Sequence, residues 1–172
     1  MSERLYIGID LGTYQSTIAS SSGTIHTVET VVGRPKDPVA RNMLKRDVLF
    51  GAEALKHKMS CDLYRPMAKG VTQDDEANLA AAKAFMGHLI ETMDPEEYDE
   101  VVGVVCSPSH VSFTDKSNLV ATLRGQVNAI MVVSEPFATA YGIGEFHGTI
   151  VVDIGAGTVS YTHLTLPTTG DG

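Results

Sequence analysis

An aspartate that closes an apolar strand and is followed by glycine and threonine appears twice in this chain, near its two ends. The first copy is Gly8-Ile9-Asp10-Leu11-Gly12-Thr13; the second is Val152-Asp153-Ile154-Gly155-Ala156-Gly157-Thr158. Glycine lets a turn approach a ligand closely and present consecutive backbone N–H groups, which cradle phosphate oxygens. An aspartate at a strand end is a hard oxygen donor, suited to a magnesium ion or to its bound waters. Either copy alone reads equally as an ordinary strand and turn with Asp as turn former. Two copies in one domain point further, to a shared anion site. Neither is a P-loop, because the chain contains no Gly-Lys-Thr or Gly-Lys-Ser.

A third segment, Val132-Val133-Ser134-Glu135-Pro136-Phe137-Ala138-Thr139-Ala140-Tyr141-Gly142, sets a carboxylate in the first turn of a helix directly after an apolar strand. In isolation Glu135 is a favourable partner for the helix dipole. The functional alternative is a group that orients a water for attack on phosphorus.

Between these motifs the pattern is α/β. Leu5–Asp10, Ser16–Ser21 and Thr24–Val31 are crowded with β-branched residues and predict an antiparallel meander. From Gly33 to Gly70 the pattern weakens, with Pro35, Pro38, Pro66 and a short helical signal over Ala52–Met59, which predicts a small excursion from the main sheet. Asp74–Met93 repeats Leu79, Ala82, Met86, Leu89, Ile90 and Met93 at helical spacing, with Thr72 and Asp75 as a capping box. Buried strands are expected at Val101–Cys106 and Ala129–Val133. Helices are expected after Ser112 (with Asp115) and after Ser134, the latter with Pro136 in its first turn and its end near Gly142-Ile143-Gly144. Thr149–Asp153 is the last strand. All six strands are expected in one mixed sheet with helices on both faces, Thr149–Asp153 in the same sheet as Leu5–Asp10.

The bulk properties narrow the function classes. A formal net charge of −8 over 172 residues opposes nonspecific binding to nucleic acid or to an anionic membrane. Cys61 and Cys106 fit no CxxC spacing and read as small buried hydrophobes. No apolar run approaches the ~20 residues of a membrane span. Met1-Ser2-Glu3-Arg4 leads straight into a strand, so neither signal peptide nor anchor helix is expected, and the expected location is cytoplasmic.

Taken in order, the three motifs resemble the first phosphate, connecting and second phosphate motifs of the actin, sugar kinase and DnaK superfamily. Val101-Val102-Gly103-Val104-Val105-Cys106-Ser107-Pro108-Ser109-His110 is similar to its strand-Pro-loop segment before the connecting motif. Ser134-Glu135-Pro136-Phe137 with its alanine-bearing helix suits prokaryotic actins. Thr30–Asp37 and Phe50–Ala54 resemble the MamK branch, with MreB next.

The resemblance, which covers residues 4 to 158, implies an actin-like ATPase (ribonuclease H-like) fold with a small inserted subdomain over 33–70. It further implies that Asp10 and Asp153 hold hydrated magnesium (Mg2+), that Gly12, Thr13 and Tyr14 line one phosphate turn, and that Gly155, Ala156, Gly157 and Thr158 line the other. Glu135 would position the attacking water. Tyr14 and Gln15 depart from the small polar residues usual at that turn. The implied cofactor is ATP with magnesium, and the implied partner is a second copy of the parent protein in a filament. Chaperone ATPases and metabolite kinases of the same superfamily are the alternatives.

Residues 1–158 are accordingly expected to be the first lobe of a longer protein. Past Thr158 the family pattern stops. Val159-Ser160-Tyr161-Thr162-His163-Leu164-Thr165-Leu166-Pro167-Thr168 resembles a translated transposase sequencing adapter, so residues 159–172 are expected to be an adapter-derived tail and His163 is assigned no role. A polar strand is the alternative, since Ser160–Leu166 alternates.

Overall fold

Period-two alternation builds the centre of the molecule. Strand β1 (Arg4–Leu11) buries Leu5, Ile7, Ile9 and Leu11 on one face and turns Arg4, Tyr6, Gly8 and Asp10 to the other. A computed structural model describes residues 3–68, 71–72, 75–109, 111–145, 147–155 and 159–164. β2 (Gln15–Ser20) and β3 (Ile25–Glu29) follow β1 as the expected antiparallel meander.

The excursion from the sheet falls where the composition changes. β4 (Val32–Pro35), α1 (Pro38–Leu44), β5 (Leu49–Phe50), α2 (Gly51–Lys56) and β6 (Cys61–Tyr64) surround a separate sheet in the order β5-β4-β6. Its small core is Val31, Leu49, Ala54 and Cys61. A two-stranded ladder, β7 (Met67–Ala68) with β8 (Val71–Thr72), leads back to the main body.

Helix α3 (Glu76–Glu91) is capped by Asp75, whose carboxylate accepts from the Asn78 N–H at 2.9 Å. This corrects the Thr72–Asp75 capping box: Thr72 belongs to β8, so Asp75 is itself the cap. β9 (Glu100–Ser107), α4 (Phe113–Leu123) and β10 (Ala129–Ser134) form a parallel crossover unit. The Ser112–Asp115 capping box at the start of α4 is fully formed. Ser134 caps α5 (Glu135–Ile143), Pro136 occupies its first turn, and Gly144 ends it in the left-handed region at φ 75.

The main sheet runs β10-β9-β1-β2-β3, with β9 parallel to both its neighbours and the rest antiparallel. Phe85, Met86 and Leu89 of α3, with Leu119 and Leu123 of α4, pack on the buried face of β1, Ile18 and Val105. Each such side chain contributes roughly 1.5–3 kcal/mol of burial. The opposite face bears Tyr6, which is exposed, and Asp10, which shares a cavity with Cys106 and with Glu135, Ala138 and Thr139 of α5.

Two strands differ from expectation. β10 is not buried: it is an edge strand with β9 as its neighbour in the sheet, and Met131 is exposed. β11 (Thr149–Ile154) does not join the main sheet. It pairs antiparallel with β12 (Val159–Leu164), from Thr149↔Leu164 to Ile154↔Val159. α5 carries the chain off the end of β10, and the left-handed turn at Gly144 redirects it, so the next strand finds its hydrogen-bond partner in the following segment. Of the alternating stretch Ser160–Leu166, the residues up to Leu164 lie in β12, and the last two lie outside the described residues.

Candidate functional site

The parallel register between β1 and β9 sets Ile9 opposite Val105, so Asp10 and Cys106 emerge side by side at the same strand end. β10 ends level with β9, Ser134 opposite Ser107, and α5 begins at the next residue, Glu135. α5 packs against β11, which brings Asp153 to the same place. Asp10, Cys106, Glu135, Ala138, Thr139 and Asp153 together line one cavity of about 310 Å³.

Asp10, Glu135 and Asp153, far apart in sequence, thus open onto one cleft. The expectation that the strands of Asp10 and Asp153 share one sheet is corrected, because they belong to different sheets. Cys106, Ala138 and Thr139 were not foreseen as lining residues. For Cys106 the signal lay in the strand pairing, which no motif contains.

The site is electrostatically strained. Burial first, then the neighbouring carboxyl groups of Asp153 and Asp10, push Glu135 up to about 7. Asp10 keeps contact with solvent, yet the protein crowding its carboxyl raises its pKa, and Asp153 adds to the shift. Burial first, then Asp10 and Glu135, push the Cys106 thiol up to about 11, so it stays neutral and unreactive. No cationic side chain lines this cavity among the described residues. Negative groups gathered without a counter-charge suit a cation.

Among the described residues, no three acidic, histidine or cysteine side chains are placed to share one metal ion directly. The three carboxylates that line the cleft are hard oxygen donors, the donor chemistry of a magnesium ion that keeps several waters and takes one or two carboxylates plus phosphate oxygens.

The first turn is fixed by its glycine. A Cβ at Gly12 would lie 2.3 Å from the Gln15 carbonyl oxygen, so no other residue fits this path. Tyr14 is exposed beside the turn, with the Arg65 guanidinium 5.9 Å from its ring centroid. At the second turn Gly155 is exposed, while Ala156, Gly157 and Thr158 lie outside the described residues.

Residues 4–168 match the family described as MreB/Mbl protein. This chain belongs to the MreB/Mbl family. Among its relatives is the actin-like protein MamK of Magnetospirillum gryphiswaldense, 34% identical over 162 residues that make up 94% of this chain and 45% of that protein. Of solved structures, a MamK double helical filament superposes with a TM-score of 0.89 at 33% identity, covering 93% of this chain and 50% of the other. A non-polymerising MamK mutant bound to AMPPNP gives 0.86 at 31% identity, covering 99% and 53%. This MreB/Mbl chain therefore spans about half the length of the curated relatives it matches. The likeness holds with β11 outside the main sheet, so membership of the MreB/Mbl family does not require the single sheet expected from the sequence.

Proposed function

We propose that residues 1–158 form the first lobe of a filament-forming ATPase, with ATP and magnesium bound at the Asp10–Glu135–Asp153 cavity. The convergence of three carboxylates, two of them at the ends of strands that lead into glycine turns, carries this reading. The similarity to a MamK mutant bound to AMPPNP and to a MamK filament supports it. Neither similar structure is a chaperone or a metabolite kinase.

In this reading Gly12, Thr13 and Tyr14 offer backbone N–H groups to one part of the polyphosphate, and Gly155, Ala156, Gly157 and Thr158 to another. Asp10 and Asp153 would hold magnesium through its waters, and the ion would supply charge neutralisation at the phosphates. Glu135 orients a water toward phosphorus. Its raised pKa leaves it partly protonated near neutral pH until a cation discharges the cluster, so binding switches it to the acceptor form. Phosphoryl transfer needs chiefly positioning and neutralisation, and these groups supply both.

We further propose that the excursion over 33–70 is an inserted subdomain and that residues 159–172 derive from an adapter. The experiment is to recover the uninterrupted gene and measure ATP hydrolysis and sedimentation of its product. Glu135→Ala should slow hydrolysis by at least about a hundredfold while leaving nucleotide binding and sedimentation near wild type. Equal hydrolysis rates would remove Glu135 from this role.

A further inference from the structure

Thr30 lies just beyond β3, far in sequence from the Gly12 turn, and is fully buried. Its hydroxyl donates to the Gly12 carbonyl at 2.8 Å. A threonine hydroxyl has one proton. With that proton given to Gly12, the 2.8 Å contact between Ser16 Oγ and Thr30 Oγ1 must be donated by Ser16, which is also fully buried. The Thr30 backbone N–H donates to the Tyr14 carbonyl at 2.8 Å. One residue thus holds two carbonyls of the same turn, and Ser16 fixes the rotor of its hydroxyl.

The direction of these bonds matters for ligands. A planar trans peptide points its C=O and its N–H to opposite sides. Pulling the Gly12 carbonyl inward to Thr30 therefore turns the Thr13 N–H away from Thr30. From these contacts we infer that Thr30 is a positioning residue of the first phosphate turn, with Ser16 behind it: their buried relay aims the Thr13 N–H at the bound polyphosphate. The inference rests on the nucleotide site proposed above. It adds a residue that touches no ligand and belongs to none of the three motifs.

Thr30→Val keeps the shape and removes the donor, leaving the Gly12 carbonyl without it; Thr30→Ser keeps the donor and removes the methyl. A role confined to stability would weaken every ligand alike. A role in aiming an N–H at phosphate weakens only ligands that carry phosphate.

Calorimetric titration of the product of the uninterrupted gene with magnesium-ATP and, separately, with adenosine distinguishes these roles. Thr30→Val should weaken magnesium-ATP binding about tenfold and leave adenosine within about twofold; Thr30→Ser should stay within about threefold for both. Ser16→Ala, which frees the Thr30 rotor, should weaken magnesium-ATP about threefold. The inference is overturned if Thr30→Val binds magnesium-ATP like wild type, loses ATP and adenosine affinity by one factor, or is matched in its loss by Thr30→Ser. If Thr30→Val does not fold, an unchanged ATP affinity in Ser16→Ala overturns it. A wild-type product that binds no magnesium-ATP overturns the nucleotide site itself and this inference with it.

Discussion

Glu135, in the first turn of α5, and Asp153, on β11, line the same cleft, and Asp153 is among the neighbours that raise the pKa of Glu135. The side chain proposed to orient water is raised to about 7 and is therefore partly protonated near neutral pH. This proximity joins the end of the main sheet to the smaller sheet and couples the charge state of the cleft to its geometry.

That coupling predicts a pH dependence. Glu135 is raised from 4.5 to about 7 in the folded chain, so the folded state binds more protons than the unfolded state between those values. Its contribution to stability is fully present below 4.5 and is lost as pH rises through about 7. Without divalent cation, the melting temperature should fall across that window, and Glu135→Gln should flatten the fall. Circular dichroism melts of the two proteins in chelating buffer test this; parallel curves would mean that Glu135 does not titrate as described.

Asp10→Ala tests the proposed metal role of Asp10. In the intact parent, Asp10→Ala should weaken magnesium-ATP binding by at least about tenfold but change ATP binding in chelator much less. It should also lower the pKa of Glu135 by removing one of the charges acting on it. Affinities measured with and without magnesium give the comparison, and a loss of equal size in both would place Asp10 outside the metal's reach.

Gly12→Ala tests the turn itself. The added methyl would sit 2.3 Å from a backbone oxygen of Gln15, which cannot move without opening the start of β2. Overpacking of this kind costs roughly 1–3 kcal/mol. Urea denaturation of the 172-residue chain should show that loss, and a midpoint equal to wild type would mean that the turn is loose.

The chain alone should bind magnesium-ATP weakly or not at all. On the proposed reading it supplies two phosphate turns and acidic groups, while it spans about half the length of its curated relatives, and the rest of the nucleotide site is expected in the other half. Ile150, Val152 and Ile154 form an exposed apolar row along β11, consistent with a surface that another element covers. Micromolar binding with turnover by the isolated 172 residues would show that one lobe suffices.

The sequence by itself determined the elements and the residues that carry chemistry. Alternation in β1, the Ser112–Asp115 box, the Ser134 cap and both Asp-Gly-Thr motifs are local patterns, and local backbone preferences produce them wherever the chain lies. The family resemblance was legible for the same reason, since the motifs occur in a fixed order. Tertiary structure alone decided which strands share a sheet, because hydrogen-bond partners are chosen among distant segments. β11 has the composition of a main-sheet strand, yet it pairs with β12 after α5 carries it away. It also decided that β10 lies at an edge, that Cys106 stands beside Asp10, and that Thr30 reaches Gly12 across the hairpin. Each depends on register between segments separated in sequence, and a pattern read along the chain carries no record of which residues become neighbours across it.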